Sequence, residues 1–331
     1  MIKNLLLLTS GVLGIIGVFL LVTKIKLMRG IARQKREDKA FIPPKLHTDH
    51  GVDSLTIIPL VEYYAASDDL QTEAGVSYLI EAGGHKILMD LGANEKKAHP
   101  SPLLANAQKL GVDLTDLDAL FLSHLHRDHV GGIDEEKRRV FAFSKGPFSC
   151  KDLPVYSPET LGEVLPPWAK PTTITAPKEI FPGVWSMGPM GRSLFLMGYT
   201  LEHVLAVHVK GKGMALIIGC GHPGIQRIIR RCQALFPHPI FAVIGGLHYP
   251  VHGGRMMLGP INLQKLVGVD RMPWNGLNEK DVKRAMTLLK KVGIQRVSLS
   301  GHDSSDWALD TFQNEFDKDY KTVLAGKPIT A

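Results

Sequence analysis

The ten residues Ser123-His124-Leu125-His126-Arg127-Asp128-His129-Val130-Gly131-Gly132 constrain this 331-residue chain more than any other feature. They follow Ala119–Leu122, a short apolar run that reads as a buried strand. The histidines therefore fall on a loop leaving a strand end, where α/β proteins place their chemistry. In an extended segment alternate side chains point the same way, so His124 and His126 can converge on one ion. Asp128 and His129 lie where the chain turns into the next element and can face a second position beside the first. Neutral imidazoles with a carboxylate suit Zn²⁺, and Mn or Fe less selectively. Histidines are also common surface residues. Even so, a chance H-x-H-x-D-H is expected on the order of once per thousand chains of this kind.

Around that loop the chain reads as alternating strands and helices. Leu55–Val61 and Val76–Glu81 are predicted strands, and Ala82-Gly83-Gly84-His85 a hairpin turn into Lys86–Met89. Leu103–Leu110 has helical spacing and stops at Gly111. Nine prolines between 147 and 189 are too many for regular helix and predict a loop-rich insert. Strands are expected at Leu201–Val209, Met214–Ile218 and Ile240–Ile244, with a helix from Pro223 to about Leu235. Residues 249–276 read as irregular. Val282, Ala285, Met286, Leu289 and Val292 mark one helix face ending at Gly293, and Val297–Leu299 is the last strand before Gly301-His302.

With 44% hydrophobic and 21% charged residues, the chain is neither disordered nor a coiled-coil rod. Three cysteines cannot make a disulfide framework, which leaves packing or metal to hold the fold. The net charge of +7 is concentrated at one end, where residues 1–40 carry eight basic side chains against two acidic ones. A nearly neutral body excludes a nucleic-acid footprint. The basic end brackets an uncharged run, Leu5–Thr23 (LLLLTSGVLGIIGVFLLVT). As a helix, this run would nearly match a hydrocarbon core of about 30 Å. It continues into KIKLMRG with no small-residue cleavage site, so a retained anchor is expected rather than a signal peptide. Heavier positive charge after the run predicts the body on the cytoplasmic side. The expected organisation is a transmembrane anchor over 1–26, a basic linker over 27–50 and one catalytic domain over 51–325.

Beyond the histidine motif, Gly75–Ile133 resembles one branch of the metallo-β-lactamase superfamily. That branch holds the dihydropterin-(ribofuranosyl)aminobenzene-phosphate synthases and many metal-dependent hydrolases. Its later signatures reappear as Gly219-Cys220-Gly221-His222-Pro223-Gly224-Ile225, Gly245-Gly246-Leu247-His248 and Gly301-His302, so the likeness covers most of 51–316. The resemblance implies an α/β fold, an αββα sandwich of two mixed sheets with helices outside and a two-metal site at one edge. It assigns His124, His126, Asp128 and His129 to the first metal motif, His222 to a ligand position between strand and helix, and His302 to the last ligand position. Asp90 would support the site from behind. Cys220 stands where many superfamily members carry a bridging aspartate. Its thiolate can bind Zn²⁺, and the alternative is a buried, inert cysteine. His203 and its neighbour Glu202 are further alternatives as ligands. Asp303-Ser304 follows the last histidine, where the branch carries cysteine and threonine.

The activity implied is hydrolysis of a small ester, amide or phosphoester by a metal-bound hydroxide, with two divalent ions, Zn first and Mn or Fe as alternatives. Asp128 would orient the water and accept its proton, and His248 would line the pocket or transfer a proton. A pterin-related synthase or transferase and a non-catalytic metal-binding membrane protein are the competing classes. Substrate choice falls to 147–200 and 249–276. There Trp168, Trp185, Tyr249, Met256, Met257 and Trp274 can stack on a flat ring, and Arg127, His252 and Arg255 can meet a phosphate or carboxylate. Loop aromatics can equally serve only to cover the core edge. The expected partners are a small molecule and, through the N-terminal helix, the membrane. The sequence leaves the oligomeric state open.

Overall fold

The computed structural model describes residues 2–331, with side chains from Gly14 onward. After a long helix, α1 (Ile2–Ala40), come β1 (Leu55–Val61), β2 (Ser77–Ala82), β3 (His85–Met89), α2 (Pro102–Lys109) and β4 (Ala119–Phe121). Two short helices, α3 (Arg127–Val130) and α4 (Ile133–Arg138), lead to β5 (Leu153–Ser157) and β6 (Ala169–Thr173). The second half begins with β7 (Lys178–Phe181) and β8 (Val184–Ser186), then the hairpin β9 (Met190–Leu194) and β10 (Gly198–Glu202). β11 (Leu205–Val209), β12 (Gly213–Ile218), α5 (Ile225–Leu235) and β13 (Ile240–Gly245) follow. A small hairpin, β14 (Met257–Leu258) and β15 (Ile261–Asn262), and α6 (Leu263–Val267) precede α7 (Glu279–Val292). The chain closes with β16 (Arg296–Leu299), α8 (Asp306–Phe316), β17 (Tyr320–Thr322) and β18 (Ile329–Thr330).

The strands form two seven-stranded mixed sheets, ordered β18-β1-β2-β3-β4-β5-β6 and β17-β16-β13-β12-β11-β8-β7. Side-chain alternation places them face to face. Ile57, Tyr78, Ile80, Ile87, Met89 and Phe121 of the first sheet pack with Leu205, Val207, Ala215, Ile217, Ala242 and Ile244 of the second. The intervening residues face outward. Leu79, Leu88 and Leu120 meet Leu103 and Ala107 of α2, whereas Leu216, Val243 and Val297 meet α5, α7 and α8. The result is an αββα sandwich. Because both faces of each central strand are covered, those strands are apolar almost throughout. α7 is bounded by a capping box between Asn278 and Asp281 and by Gly293 in the left-handed region at φ 82°.

Three expectations need correction. Among the described residues no helix is long and apolar enough to cross a membrane. That finding overturns the single-pass anchor over 1–26, the membrane location with a cytoplasmic catalytic domain, and the membrane as a partner. Beyond Lys24 and Lys26 the helix packs on the sandwich. Leu27 is buried against Phe195 and Met272, and the Arg33 guanidinium lies 4.1 Å from the Tyr199 ring. Asp38 accepts from Arg227 at 2.6 and 2.8 Å. Residues 5–13 of the expected span lie outside the residues whose side chains are described.

The proline-rich stretch 147–189 is not a loop insert. It contains β5 to β8, with Pro171 on β6 at a sheet edge, where a missing N–H costs no ladder bond. The run Leu201–Val209 breaks into β10 and β11, which join different sheets. The break falls at Glu202-His203-Val204. Buried Glu202 accepts from Gly221 and His222, and the His203 N–H donates to Ser123 O at 3.0 Å in the opposite sheet.

Candidate metal centre

β3, β4, β5 and β6 run parallel, as do β12, β13, β16 and β17. The loops leaving the C-terminal ends of β4, β12, β13 and β16 carry Ser123–His129, Gly219–His222, Gly246–His248 and Ser300–His302. Residues far apart in the chain thus meet at one edge of the sandwich. The first loop turns through α3, a single turn ended by Gly131 at φ 89°. A Cβ at Gly131 would collide with the Ala142 carbonyl, so glycine is required by both conformation and space.

Three donor atoms from His124, His126 and His222 form one group, and four from Asp128, His129, Cys220 and His302 form a second. Within each group all donor atoms lie within 4.8 Å of one another. His126 Nδ1 is 3.0 Å from His124 Nε2 and 3.2 Å from His222 Nε2. Cys220 Sγ is 3.1 Å from His129 Nε2 and 3.3 Å from His302 Nε2, and Asp128 Oδ2 is 3.5 Å from His129 Nε2. His248 joins a third, overlapping group with Cys220 and His222.

The outward nitrogen of nearly every ring is tied to the protein, which aims the other nitrogen into the cluster. Asp90 closes β3 and is fully buried. It accepts from Ser123 N at 2.7 Å, Ser123 Oγ at 2.6 Å and His129 Nδ1 at 2.7 Å. Ser123 Oγ in turn accepts from His124 Nδ1 at 3.0 Å. Ser300 Oγ repeats the device, donating to buried Glu62 and accepting from His302 Nδ1. His126 Nε2 meets Thr200 Oγ1 at 3.2 Å. The exceptions are His222, whose Nδ1 is buried without a partner, and His248, whose two ring nitrogens are both unpartnered.

Burial, and then the neighbouring imidazoles, hold the His124 and His222 rings well below their ordinary range. Burial likewise lowers His302, with His129 adding to the effect, and brings His126 and His248 down to about 4. These five rings are therefore neutral, as ligation requires. Burial works to raise the Asp128 carboxyl, but the adjacent His129 pulls it well below the usual carboxylate range. Burial opposes protonation of His129, yet Cys220, Asp128 and Asp90 push it up. Burial raises the Cys220 thiol, so a nearby cation is what would favour its thiolate. Neutral imidazoles, one ionised carboxylate and one thiol crowded out of water make a donor set that fits divalent zinc-like ions.

Other candidates sit elsewhere. His203 bonds Ser186 Oγ and Leu122 O, both at 2.9 Å, and stacks on Phe121, so it faces away from the cluster. Glu202 spends both oxygens on the N–H groups of Gly221 and His222 and shapes the loop that carries His222. A cavity of about 350 Å³ beside the cluster is walled by Asp128, Cys220, His248, Leu196 and Met256. Of the expected substrate contacts, Arg127, Arg255 and Met256 line it. Trp168, Trp185 and Tyr249 are buried in the cores instead, Met257 and Trp274 are exposed, and His252 pairs with Glu279. Glu62 and Ser300 escaped sequence reading. The available signal was a lone carboxylate closing the apolar strand β1, the same pattern as Asp90 after β3.

Residues 71–142 match the Metallo-beta-lactamase superfamily. That segment is 72 of the 331 residues, and over it the chain is similar to that superfamily. A 7,8-dihydropterin-6-methyl-4-(beta-D-ribofuranosyl)-aminobenzene-5'-phosphate synthase from Methanocaldococcus jannaschii is 25% identical over 316 residues, 84% of this chain and 97% of its own length. The anti-Pycsar protein Apyc1 of Paenibacillus xerothermodurans is 35% identical over 57 residues, 17% of this chain and 20% of its own. Among solved structures, Tm1679, a metal-dependent hydrolase of the β-lactamase superfamily, superposes with a TM-score of 0.56 at 20% identity, covering 83% of this chain and 98% of that one. The metallo-β-lactamase fold protein YhfI from Bacillus subtilis gives 0.51 at 14%, covering 84% and 100%. These likenesses fix the fold.

Proposed function

We propose that the chain is a metal-dependent hydrolase of a small ester, amide or phosphoester, with two divalent ions, Zn²⁺ first. His124, His126 and His222 would hold one ion, and Asp128, His129, His302 and Cys220 the other. The observation that carries this reading is the convergence of seven donor residues from three loops into two adjoining groups beside a cavity. Bound divalent ions lower the pKa of water towards 7 and stabilise charge developing on a substrate oxygen.

The protein's own groups do the rest. Asp128 is ionised and about a quarter exposed at the cavity wall, so it can orient a water and take its proton. His248 lies on the same wall with both ring nitrogens unpartnered, and its backbone N–H is held by Asp303 at 2.8 Å. A neutral ring in that position can accept a proton and return it to a leaving group. Leu196, Met197, Met256 and Val267 give the cavity its apolar side and keep bulk water from the cluster.

One observation favours a second reading, in which the site performs group transfer on a pterin-like substrate. The synthase from Methanocaldococcus jannaschii aligns over 97% of its own length. Asp303-Ser304, departing from the pattern of that branch, weighs against the same reaction. The test is a panel of chromogenic esters, lactones and phosphodiesters assayed with added Zn²⁺ or Mn²⁺, beside metal analysis of the purified protein. Turnover that disappears on chelation supports the hydrolase. Active protein free of metal would end both readings.

A further inference from the structure

Outside the donor groups, the charged and amide side chains lining the 350 Å³ cavity are nearly all spent within the protein. Arg255 donates through Nε to Gly301 O at 2.6 Å and through Nη2 to Asp306 at 2.8 Å, with its guanidinium 4.0 Å from the Tyr63 ring. Arg127 pairs with Glu136 at 3.3 Å. Gln264 accepts from Arg255 N at 2.8 Å and donates to His302 O at 3.4 Å. Asp303 accepts from His248 N at 2.8 Å and Ser304 Oγ at 3.0 Å. What remains is Glu95, which is exposed, negative and without an ion pair among the described residues.

The apolar part of the lining is arranged the opposite way, with side chains left uncovered. Leu196, at the tip of the β9–β10 hairpin, is 53% exposed and sits in the left-handed region at φ 62°. Leucine rarely adopts that conformation, and a tight turn ordinarily gives such a place to glycine or asparagine. The adjacent Phe195 is buried against Leu27 and Met272, which pins the tip where it stands. Met256 lines the same cavity, and it continues into the β14–β15 hairpin, where Met257, Leu258 and Ile261 are also exposed. A strained, solvated leucine and a run of solvated apolar side chains at one opening are costs that a ligand can recover.

We propose that the substrate is an ester or amide of an uncharged, unbranched acyl chain, with the carbonyl at the cluster and the chain on Leu196, Met197 and Met256. An anionic tail would meet Glu95 and no free cation, whereas a hydrocarbon tail covers the exposed leucine and methionines. Methionine side chains adapt to chains of different length, so a range of acyl lengths fits the same seat. Hydrolysis adds one water to the carbonyl carbon, breaks its bond to the ester oxygen or amide nitrogen, and sends a proton to that leaving atom. The products are a fatty acid and an alcohol or amine, with no oxidant or reductant consumed. The bond cleaved rests on the hydrolase reading above. The apolar seat does not.

The test uses the full chain loaded with Zn²⁺, titrated calorimetrically with acetohydroxamate, octanohydroxamate and the monohydroxamate of suberic acid, whose eight-carbon chain ends in a carboxylate. Each methylene seated should tighten binding about fourfold, so octanohydroxamate should bind at least about fiftyfold better than acetohydroxamate once three methylenes are covered. The suberic derivative should lose about tenfold or more against octanohydroxamate. Leu196→Asn suits the left-handed backbone, and Met256→Gln keeps the side-chain length, so neither change threatens the fold. Each should lower the ratio of octano- to acetohydroxamate affinity about fourfold or more. The proposal is overturned if octanohydroxamate binds no tighter than acetohydroxamate, if the ratio survives both variants, or if the suberic derivative binds equally well. In parallel, 4-nitrophenyl acetate and octanoate are compared by kcat/KM. Turnover of both at equal kcat/KM would overturn the acyl seat and leave the hydrolase reading standing. Chain-dependent hydroxamate binding with no ester or amide turnover would uphold the seat and refute the hydrolase reading.

Discussion

Replacing Asp90 with Asn tests whether a buried carboxylate behind the cluster sets metal affinity. Asp90 sits in the left-handed region at φ 61°, which Asn tolerates as readily, so the change leaves backbone strain aside. It removes the charge and leaves one acceptor oxygen for three donors, Ser123 N, Ser123 Oγ and His129 Nδ1, at 2.6 to 2.7 Å. At least one buried donor then faces an amide N–H. An unsatisfied buried donor costs about 1–3 kcal/mol, so metal-free protein should lose that much stability in a urea melt. His129 also loses the group that aims its Nε2, and His124 loses part of its support through Ser123. Such losses weaken metal binding about 10–100-fold, or roughly 1.4–2.7 kcal/mol.

The two effects add in the metal-bound protein, so the gap between wild type and Asp90→Asn should widen when Zn²⁺ is present. Competition against a chromogenic chelator gives the affinity, and melts with and without chelator give the two stabilities. Wild-type affinity in Asp90→Asn, with only apo stability reduced, would refute a role in aiming the ligands and leave Asp90 a purely structural residue.

Three further outcomes follow from the same geometry. Asp128→Asn should lower kcat about 10²–10⁴-fold with no rescue by excess metal, whereas His302→Ala should recover part of its activity; equal rescue of both would make Asp128 only a ligand. A chain beginning at Phe41 loses the burial of Leu27 and the Asp38–Arg227 pair, so the β9–β10 hairpin that carries Thr200 and Leu196 should become protease-sensitive; unchanged digestion would refute that coupling. Burial lowers buried His203 to about 3 from an ordinary 6.5, so the unfolded chain takes up its proton first and stability falls on acidification from about 6.5 towards 3. Its share is about 1.4 kcal/mol per pH unit, and His203→Gln should flatten the pH dependence of unfolding by that slope between pH 6 and 4.

How far the sequence reveals this molecule depends on whether the information is local. The strand order up to β4 and the helix faces of α2 and α7 are visible because period 2 and period 3.6 are short-range patterns. Ser123–His129 is visible because six consecutive residues carry the donors. Glu202 and His203 could not be told apart, since adjacent residues on a strand point opposite ways and nothing nearby says which side is the site. The structure shows that neither points at the cluster: His203 is spent bridging Ser186 and Leu122 across the two sheets, and Glu202 is spent on the loop that carries His222. Trp168, Trp185 and Tyr249 fall in stretches that read as irregular, where an aromatic can stack on a substrate or cover the core edge, and partners distant in the chain turn each into a core. The N-terminal run misled for a related reason. Hydropathy reports what a helix could leave in lipid, not that its second half carries Asp38 to Arg227, 189 residues away.

The pairing of carboxylate, serine and histidine recurs at both ends of the cluster, and this says what holds the site before any ion arrives. Asp90–Ser123–His124 belongs to the first sheet, and Ser300–His302 to the second. Glu62, at the end of β1, crosses from the first sheet to reach Ser300 in the second. Burial raises the Glu62 carboxyl to about 7, so it stays buried only because Ser300, Tyr78, Tyr63 and Gly301 all donate to it. These bonds join the two sheets at the edge where the metal ligands converge, and they do so through groups that need no metal. A cluster of neutral rings with their lone pairs facing one another gains nothing from its own proximity. Its geometry is stored in the carboxylates behind it, and a divalent ion is what turns that stored arrangement into binding energy.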